Sequence, residues 1–244
     1  MNIVIDIGNT RAKMGVYQNN LLLKTVVCHK DELIDQQRSL LLEYPDINHG
    51  ILANVAIPEK GFKGALSNLS GLKIELSATT PIPFINTYET PQTLGLDRIA
   101  LAAGAVSHYP NRDILIIDAG TSITYDLITA DKKYLGGAIS PGLNMRFRAL
   151  NDFTANLPLL RVQDSDTVTI GKNTVESLQL GVKRGLLYEI DGFIDQYKEA
   201  YPELITILTG GDCEILSKRL KNSIFAIKNF LLSGLNCILE YNKH

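Results

Sequence analysis

Residues 3–10 read IVIDIGNT and residues 115–121 read LIIDAGT. In each, a β-branched run ends in Asp-x-Gly and then in small hydroxyl or amide residues. A second short apolar run follows, over 12–17 in the first copy and 123–128 in the second. Short Ile- and Val-rich runs punctuated by Gly and Asp predict strands, so each copy reads as a β-hairpin whose turn carries Asp, Gly and Thr. Asp6 and Asp118 are separated by close to half of the 244-residue chain. Repetition on that scale predicts two related α/β domains, 1–108 and 109–244, facing each other across a cleft.

The turn chemistry points to phosphate. Glycine permits positive φ and close backbone approach, so successive N–H groups can converge on an anion. Thr10 and Thr121 add hydroxyl donors, and Lys13 adds a cation. Asp6 and Asp118 would repel phosphate unless a hard cation lay between them, which is the usual arrangement for Mg²⁺. A lone Asp-x-Gly would read as an ordinary hairpin turn; its repetition favours the functional reading. Neither GxxxxGK[ST] nor a strand–GxGxxG–helix unit is present, so this is a different phosphate-binding design.

Composition narrows the partners. With 24 Lys+Arg against 26 Asp+Glu the chain is close to neutral, which argues against nucleic acid as the main partner. No apolar run is long enough for a membrane span. The N-terminal stretch has no basic n-region and meets Asp6 early, so no signal peptide is expected. Three scattered cysteines (Cys28, Cys213 and Cys237) form no CxxC pair and read as small core residues, and the expected compartment is a reducing cytoplasm.

Between the hairpins, residues 88–98 lead into a small-residue segment with Ile99, Ala102, Ala103 and Val106 at helical spacing. Asp97 and Arg98 then occupy the first turn of a helix. Asp97 suits that end as simple charge compensation, whereas Arg98 opposes the helix dipole and needs a carboxylate, in the protein or in a ligand. Read functionally, Asp97 is a base and Arg98 a clamp on a small acidic substrate.

In the second half, residues 136–142 read as a tight turn before a helix over 143–157. Residues 174–200 read as one long helix with Leu178, Val182, Leu186, Ile190, Phe193 and Tyr197 on one face. Asn173 and Glu176 resemble a capping box at its start, and Gly181 and Gly185 suggest close packing, against a second subunit or the chain's own core. A strand over 204–208 is followed by Gly210, Gly211 and a helix to about 220, a backbone approach suited to a nucleotide. A last helix is expected over 229–241. The 20–80 region reads as an early amphipathic helix, one strand near 51–55, and loops.

The segments Asp6-Ile-Gly-Asn-Thr-Arg-Ala-Lys13, Thr93-Leu-Gly-Leu-Asp97-Arg98, Asp118-Ala-Gly-Thr121, the Gly-Gly…Pro-Gly loop, Gly171-Lys-Asn-Thr174 and Thr209-Gly-Gly-Asp212 occur in one order. This series resembles the type III pantothenate kinase family, a branch of the acetate and sugar kinase/Hsc70/actin superfamily. The resemblance implies two ribonuclease-H-like (actin-like ATPase) domains, a homodimer, and transfer of the ATP γ-phosphoryl group to pantothenate, the first step of coenzyme A synthesis. It also implies Mg²⁺ and a monovalent cation, K⁺ or NH₄⁺, as cofactors. By motif position, Asp6 would hold Mg²⁺, with Ile7, Gly8, Asn9, Thr10, Arg11, Ala12 and Lys13 around the ATP phosphates. Asp97 would be the base and Arg98 the carboxylate clamp, with Tyr88, Gly95 and Leu96 lining the same pocket. Asp118 would bind the monovalent cation and Thr121 would contact ATP. Thr174 would reach pantothenate across the dimer interface, and Gly210 and Gly211 would form the adenosine site.

Two departures stand out. Leu96 occupies a position where members often carry Ala, and Ala53-Asn54-Val55-Ala56 replaces the common Ser-Ser-Val. Another small-molecule kinase on the same fold and a non-catalytic ATP-binding regulator are the alternative readings.

Overall fold

The computed structural model describes residues 1–8, 11–54, 64–162 and 169–243. The chain divides into two compact units. The first comprises Met1–Asn111, Asp131–Tyr134 and Asn229–His244, and the second Arg112–Ala130 and Leu135–Lys228.

In the first unit, β1 (Asn2–Ile7), β2 (Arg11–Gln18), β3 (Leu21–His29), β4 (His49–Asn54) and β5 (Lys73–Glu75) form a sheet ordered β3-β2-β1-β4-β5. Strand β1 is antiparallel to β2 and parallel to β4. Period-two alternation sends Ile3, Ile5 and Ile7 to one face, where they meet Leu33 and Leu40 of α1 (Leu33–Glu43). The opposite face carries α2 (Leu96–His108) and α6 (Phe230–Tyr241), and Asn2 donates to Asn236 there at 2.8 Å. Strand β3 and β5 are additions to the single strand expected in this region. Both are mostly exposed edge strands without a strong alternating pattern, so the sequence carries little sign of them.

The second unit contains β7 (Ile114–Ala119), β8 (Ser122–Ile128), β9 (Lys133–Pro141), β10 (Ile205–Thr209) and β11 (Phe225–Ala226). Its sheet runs β11-β10-β7-β8-β9, with β6 (Ile85–Asn86) pairing to Lys133 and Tyr134 at the end of β9 that belongs to the first unit. Read outward from each first strand, both sheets have the same order. The sequence echo is therefore a topological repeat. Leu115, Ile117, Tyr125 and Leu127 pack under Leu186, Ile190 and Ile194 of α4 (Thr174–Ala200) and Phe147 of α3 (Leu143–Asp152).

Several local expectations change in this unit. Residues 136–141 are strand and not a tight turn: Gly137 lies against the Tyr125 carbonyl, where a side chain would collide, which lets β9 follow β8 closely. Helix α3 stops at Asp152; Asn151 then donates its side-chain amide to the Leu157 carbonyl at 2.7 Å, folding the chain back before Pro158. The helix after Gly211 is only α5 (Cys213–Ser217). Asn173 caps α4 by accepting from the Glu176 amide at 3.0 Å, but the Glu176 carboxylate turns to the Lys172 amide, so the box is half made. A Cβ added at Gly181 or Gly185 would meet nothing within 4 Å among the described residues, so that face of α4 is open there. The C-terminal helix α6, which a division near residue 108 assigns to the second half, belongs to the first unit because its apolar face covers β1, β4 and α2.

Cys28 and Cys213 are buried and Cys237 is half-buried; all three are free. Among the described residues no helix is long and apolar enough to cross a membrane. In β4, His49 accepts from the Leu72 amide through Nδ1 at 2.9 Å, a contact that requires that nitrogen unprotonated. Burial lowers its pKa below the ordinary 6.5, helped by Lys243 and the N-terminal ammonium and opposed by Glu240. Protonation therefore favours the unfolded chain: the contribution is complete above about pH 6.5, the unfolded value, and is lost as pH falls from there through the lower folded-state value. The thermal midpoint should drop between about pH 7.5 and about pH 5, and His49→Gln should flatten that drop. An unchanged pH profile in the variant would refute the assignment.

Candidate active site

The two Asp-x-Gly turns are built alike but not identically. Gly8 closes the first by donating to the Arg11 carbonyl at 3.0 Å, and Gly120 closes the second by donating to Ser122 at 3.0 Å. The first loop is thus one residue longer. Neither glycine adopts positive φ; of the two freedoms glycine offers, Gly8 uses close approach, since a Cβ there would stand 3.3 Å from the Arg11 carbonyl. Ile7 and Ala12 are buried supports at the ends of β1 and β2, and Arg11 is exposed. Asn9 and Thr10, and the 55–56 part of the departing segment, lie outside the described residues.

Across the strands the two turns diverge. Asp6 is paired in register with Lys13, whereas Asp118 is paired with Thr124 and, on its other side, with Thr209. In register, the first turn thus sets a lysine across from its aspartate and the second a threonine. Thr124 is buried, and its Oγ1 makes no hydrogen bond among the described residues.

Asp6 shares its neighbourhood with Asp97. Burial foremost, and then the Asp97 charge, push the Asp6 carboxyl up to about 6 against the pull of Lys13. A buried carboxylate whose ionisation is disfavoured by burial and a neighbouring carboxylate is stabilised by a cation. Among the described residues no group of three or more His, Cys, Asp or Glu gathers to hold a metal. A pair of carboxylates fits a hard divalent cation of the kind that keeps waters and phosphate oxygens among its ligands.

Asp97 stands in the first turn of α2, with Gly95 as N-cap residue. Its Oδ1 accepts from the Arg98 amide at 2.8 Å, and a Cβ on Gly95 would land on that same oxygen. Glycine is thus required for the carboxylate to fold back over the helix start. Leu96 is half-buried beside it. Arg98 is only 4% exposed, unusual for an arginine, and its guanidinium lies over the Tyr88 ring at 5.6 Å and the Tyr134 ring at 5.9 Å. Tyr134 carried no sequence signal. It sits in an alternating strand remote from Arg98 in the chain, and only the pairing of β6 with β9 brings it there.

In the second unit, Gly210 takes φ +96° and has no room for a Cβ beneath the Ala119 carbonyl, next to Asp118. Asp212 donates its amide to Ala119 at 3.0 Å, and Gly142 donates its amide to Thr121 at 3.1 Å. The Asp118 turn, the Gly210–Gly211 turn and the start of α3 are thereby tied together, with Thr121 and Gly211 exposed. Thr174, also exposed, is the first residue of α4 and lines a groove of about 880 Å³ with Arg146, Lys172, Asn173 and Leu178. Arg146 is fixed there by Glu189 at 2.6 Å, which also accepts from the Tyr125 hydroxyl at 2.9 Å.

A sequence model of the type III pantothenate kinase family matches residues 2–196. The chain is 49% identical over 243 residues to a type III pantothenate kinase of Christiangramia forsetii, covering 100% of this chain and 99% of that protein. It is 45% identical over 242 residues to a type III pantothenate kinase of Flavobacterium johnsoniae, covering 99% and 98%. Among solved structures, a ROK family glucokinase from Streptomyces griseus in complex with glucose and AMPPNP matches at TM-score 0.53 and 12% identity, with 98% of both chains covered. At that identity the likeness concerns the fold, a pair of ribonuclease-H-like domains.

Proposed function

This chain belongs to the type III pantothenate kinase family, and we propose that it transfers the γ-phosphoryl group of ATP to the primary hydroxyl of pantothenate, the first step of coenzyme A synthesis. The observation that carries this reading is Asp97 followed by a buried Arg98, beside the Asp6 turn, in a chain that matches curated pantothenate kinases end to end.

Phosphoryl transfer runs through a loose transition state, so positioning and charge neutralisation supply most of the catalysis. In this reading Gly8, Asn9, Thr10 and Lys13 cradle the phosphates. Asp6 would hold Mg²⁺, which when bound neutralises phosphate charge. Asp97 is fixed through Oδ1 by the Arg98 amide, and its second oxygen accepts the hydrogen bond of the acceptor hydroxyl and takes its proton as the phosphoryl group moves. Arg98 engages the pantothenate carboxylate with its planar donor fork. In the second unit, Thr121 and the Gly210–Gly211 turn take the nucleotide.

Asp118 would hold the monovalent cation, K⁺ or NH₄⁺. The support is its register position opposite Thr124, where the first turn has lysine, and the buried Thr124 hydroxyl, which has no hydrogen-bond partner among the described residues. Asp118→Ala should raise the K⁺ concentration for half-activation by about tenfold or more. An unaltered K⁺ titration would count against the site. A homodimer across the open glycine face of α4, with Thr174 reaching a partner's substrate, completes the reading, in a reducing cytoplasm and without nucleic-acid or membrane partners.

The test is ADP release by the purified protein with MgATP and K⁺, with and without pantothenate. Strict dependence on pantothenate is expected. Absent turnover, or turnover that ignores pantothenate, overturns the reading.

A further inference from the structure

The Arg98 guanidinium lies against two rings from separate parts of the first unit. Tyr88 and Tyr134 have ring centres 6.1 Å apart, inclined at 58°, and the guanidinium lies within 6 Å of both. Tyr134 is fully buried, and the Phe84 ring backs it at 6.0 Å. The backbones carrying the two tyrosines are zipped together. Thr87 donates to the Tyr134 carbonyl through its amide at 3.1 Å and its hydroxyl at 2.6 Å, and Ile85 and Asn86 pair in register with Lys133 and Tyr134. The two rings are therefore one preset surface.

An aromatic face attracts a guanidinium through the ring quadrupole, and more strongly where water is excluded. Hydrogen bonds from the N–H groups then run in the guanidinium plane, the direction in which a carboxylate binds in fork geometry. An arginine left to rotate would lose side-chain entropy each time it bound its anion. Held over two fixed rings, it has already lost that freedom.

We propose that Tyr134 is a positioning residue which, acting through Arg98, sets the preference of this kinase for an acceptor bearing a carboxylate over a neutral one. The proposal rests on the reading of Arg98 as the pantothenate clamp. Tyr134 touches neither phosphate nor the reacting hydroxyl in this scheme. Its loss therefore weakens recognition of the anion and leaves ATP use intact.

The experiment compares Tyr134→Met, Tyr134→Phe, Arg98→Ala and the double variant Tyr134→Met/Arg98→Ala. KM and kcat are measured for pantothenate, for its neutral analogue pantothenol, and for ATP. Tyr134→Met should raise KM for pantothenate about tenfold, the scale of a desolvated cation–ring contact, with KM for pantothenol and ATP unchanged. Tyr134→Phe keeps the ring and should restore the parental KM. In the Arg98→Ala background Tyr134→Met should add nothing, because its effect passes through the missing guanidinium. Equal rises for both acceptors, the same rise without Arg98, or a Tyr134→Phe variant as impaired as Tyr134→Met would each overturn the proposal. If Tyr134→Met does not fold, Tyr134→Leu is read by the same criteria, and Tyr134→Phe alone still tests whether the ring suffices. A parent protein without pantothenate-dependent ADP release would mark failure of the functional reading itself, an outcome distinct from an active parent with no acceptor-selective change.

Discussion

Asp97→Asn should lower kcat by about 10²-fold or more, the scale of a lost general base, while the chain stays folded. The substitution is nearly isosteric, and an Asn side-chain oxygen can still accept from the Arg98 amide as Asp97 Oδ1 does at 2.8 Å. What disappears is the carboxylate charge and the ability to take a proton from the acceptor hydroxyl. A second consequence follows from the neighbour: burial and the Asp97 charge both raise the Asp6 pKa, so removing that charge lets Asp6 ionise more readily. Steady-state kinetics with pantothenate as the varied substrate, with circular dichroism as the folding control, make the measurement. Near-normal turnover in a folded Asp97→Asn protein would remove Asp97 from the reaction.

Arg98→Ala should act on binding. A charge-assisted hydrogen bond to a carboxylate is worth about 1.5–3 kcal/mol, so KM for pantothenate should rise by about 10- to 100-fold with a much smaller change in kcat. The residue is buried against two rings, so the truncation also leaves a void and lowers stability. Comparison with a neutral acceptor separates the two effects, since a void alone does not distinguish charged from uncharged substrate. Kinetics for both acceptors, with a thermal melt of the variant, are the check. An unchanged KM for pantothenate would reject the clamp.

Where a signal is local, the sequence carried it. The hairpins around Asp6 and Asp118 were legible because β-branched runs and Gly/Asp punctuation lie within about twenty residues. Helix α4 was legible over its full extent, because its buried positions recur at helical spacing and Asn173 marks its start. Asp97 and Arg98 fell in the first turn of α2 as expected. Local patterns also misled. Gly136, Gly137 and Pro141 read as a turn, yet they belong to a strand whose glycine fits against a neighbouring backbone that no local window contains. Gly181 and Gly185 read as packing against a second subunit or the chain's own core, and among the described residues no atom lies within 4 Å of where their Cβ atoms would be, which leaves the first of those two.

By itself, then, the sequence determined the duplicated Asp-x-Gly hairpins, the placing of Asp97 and Arg98 in the first turn of a helix, and the order of motifs that marks the family. Each depends on residue type and short-range periodicity, which chain connectivity preserves. Only the tertiary structure decided that Lys13 stands across from Asp6 while Thr124 stands across from Asp118, because strand register sets that pairing. It also decided that Asp97 raises the pKa of Asp6, that the C-terminal helix completes the first unit, and that Tyr134 meets Arg98. Those relations join residues distant in the chain. Their energies come from burial and from charges brought close in space, and such proximity leaves no periodic trace in the order of amino acids.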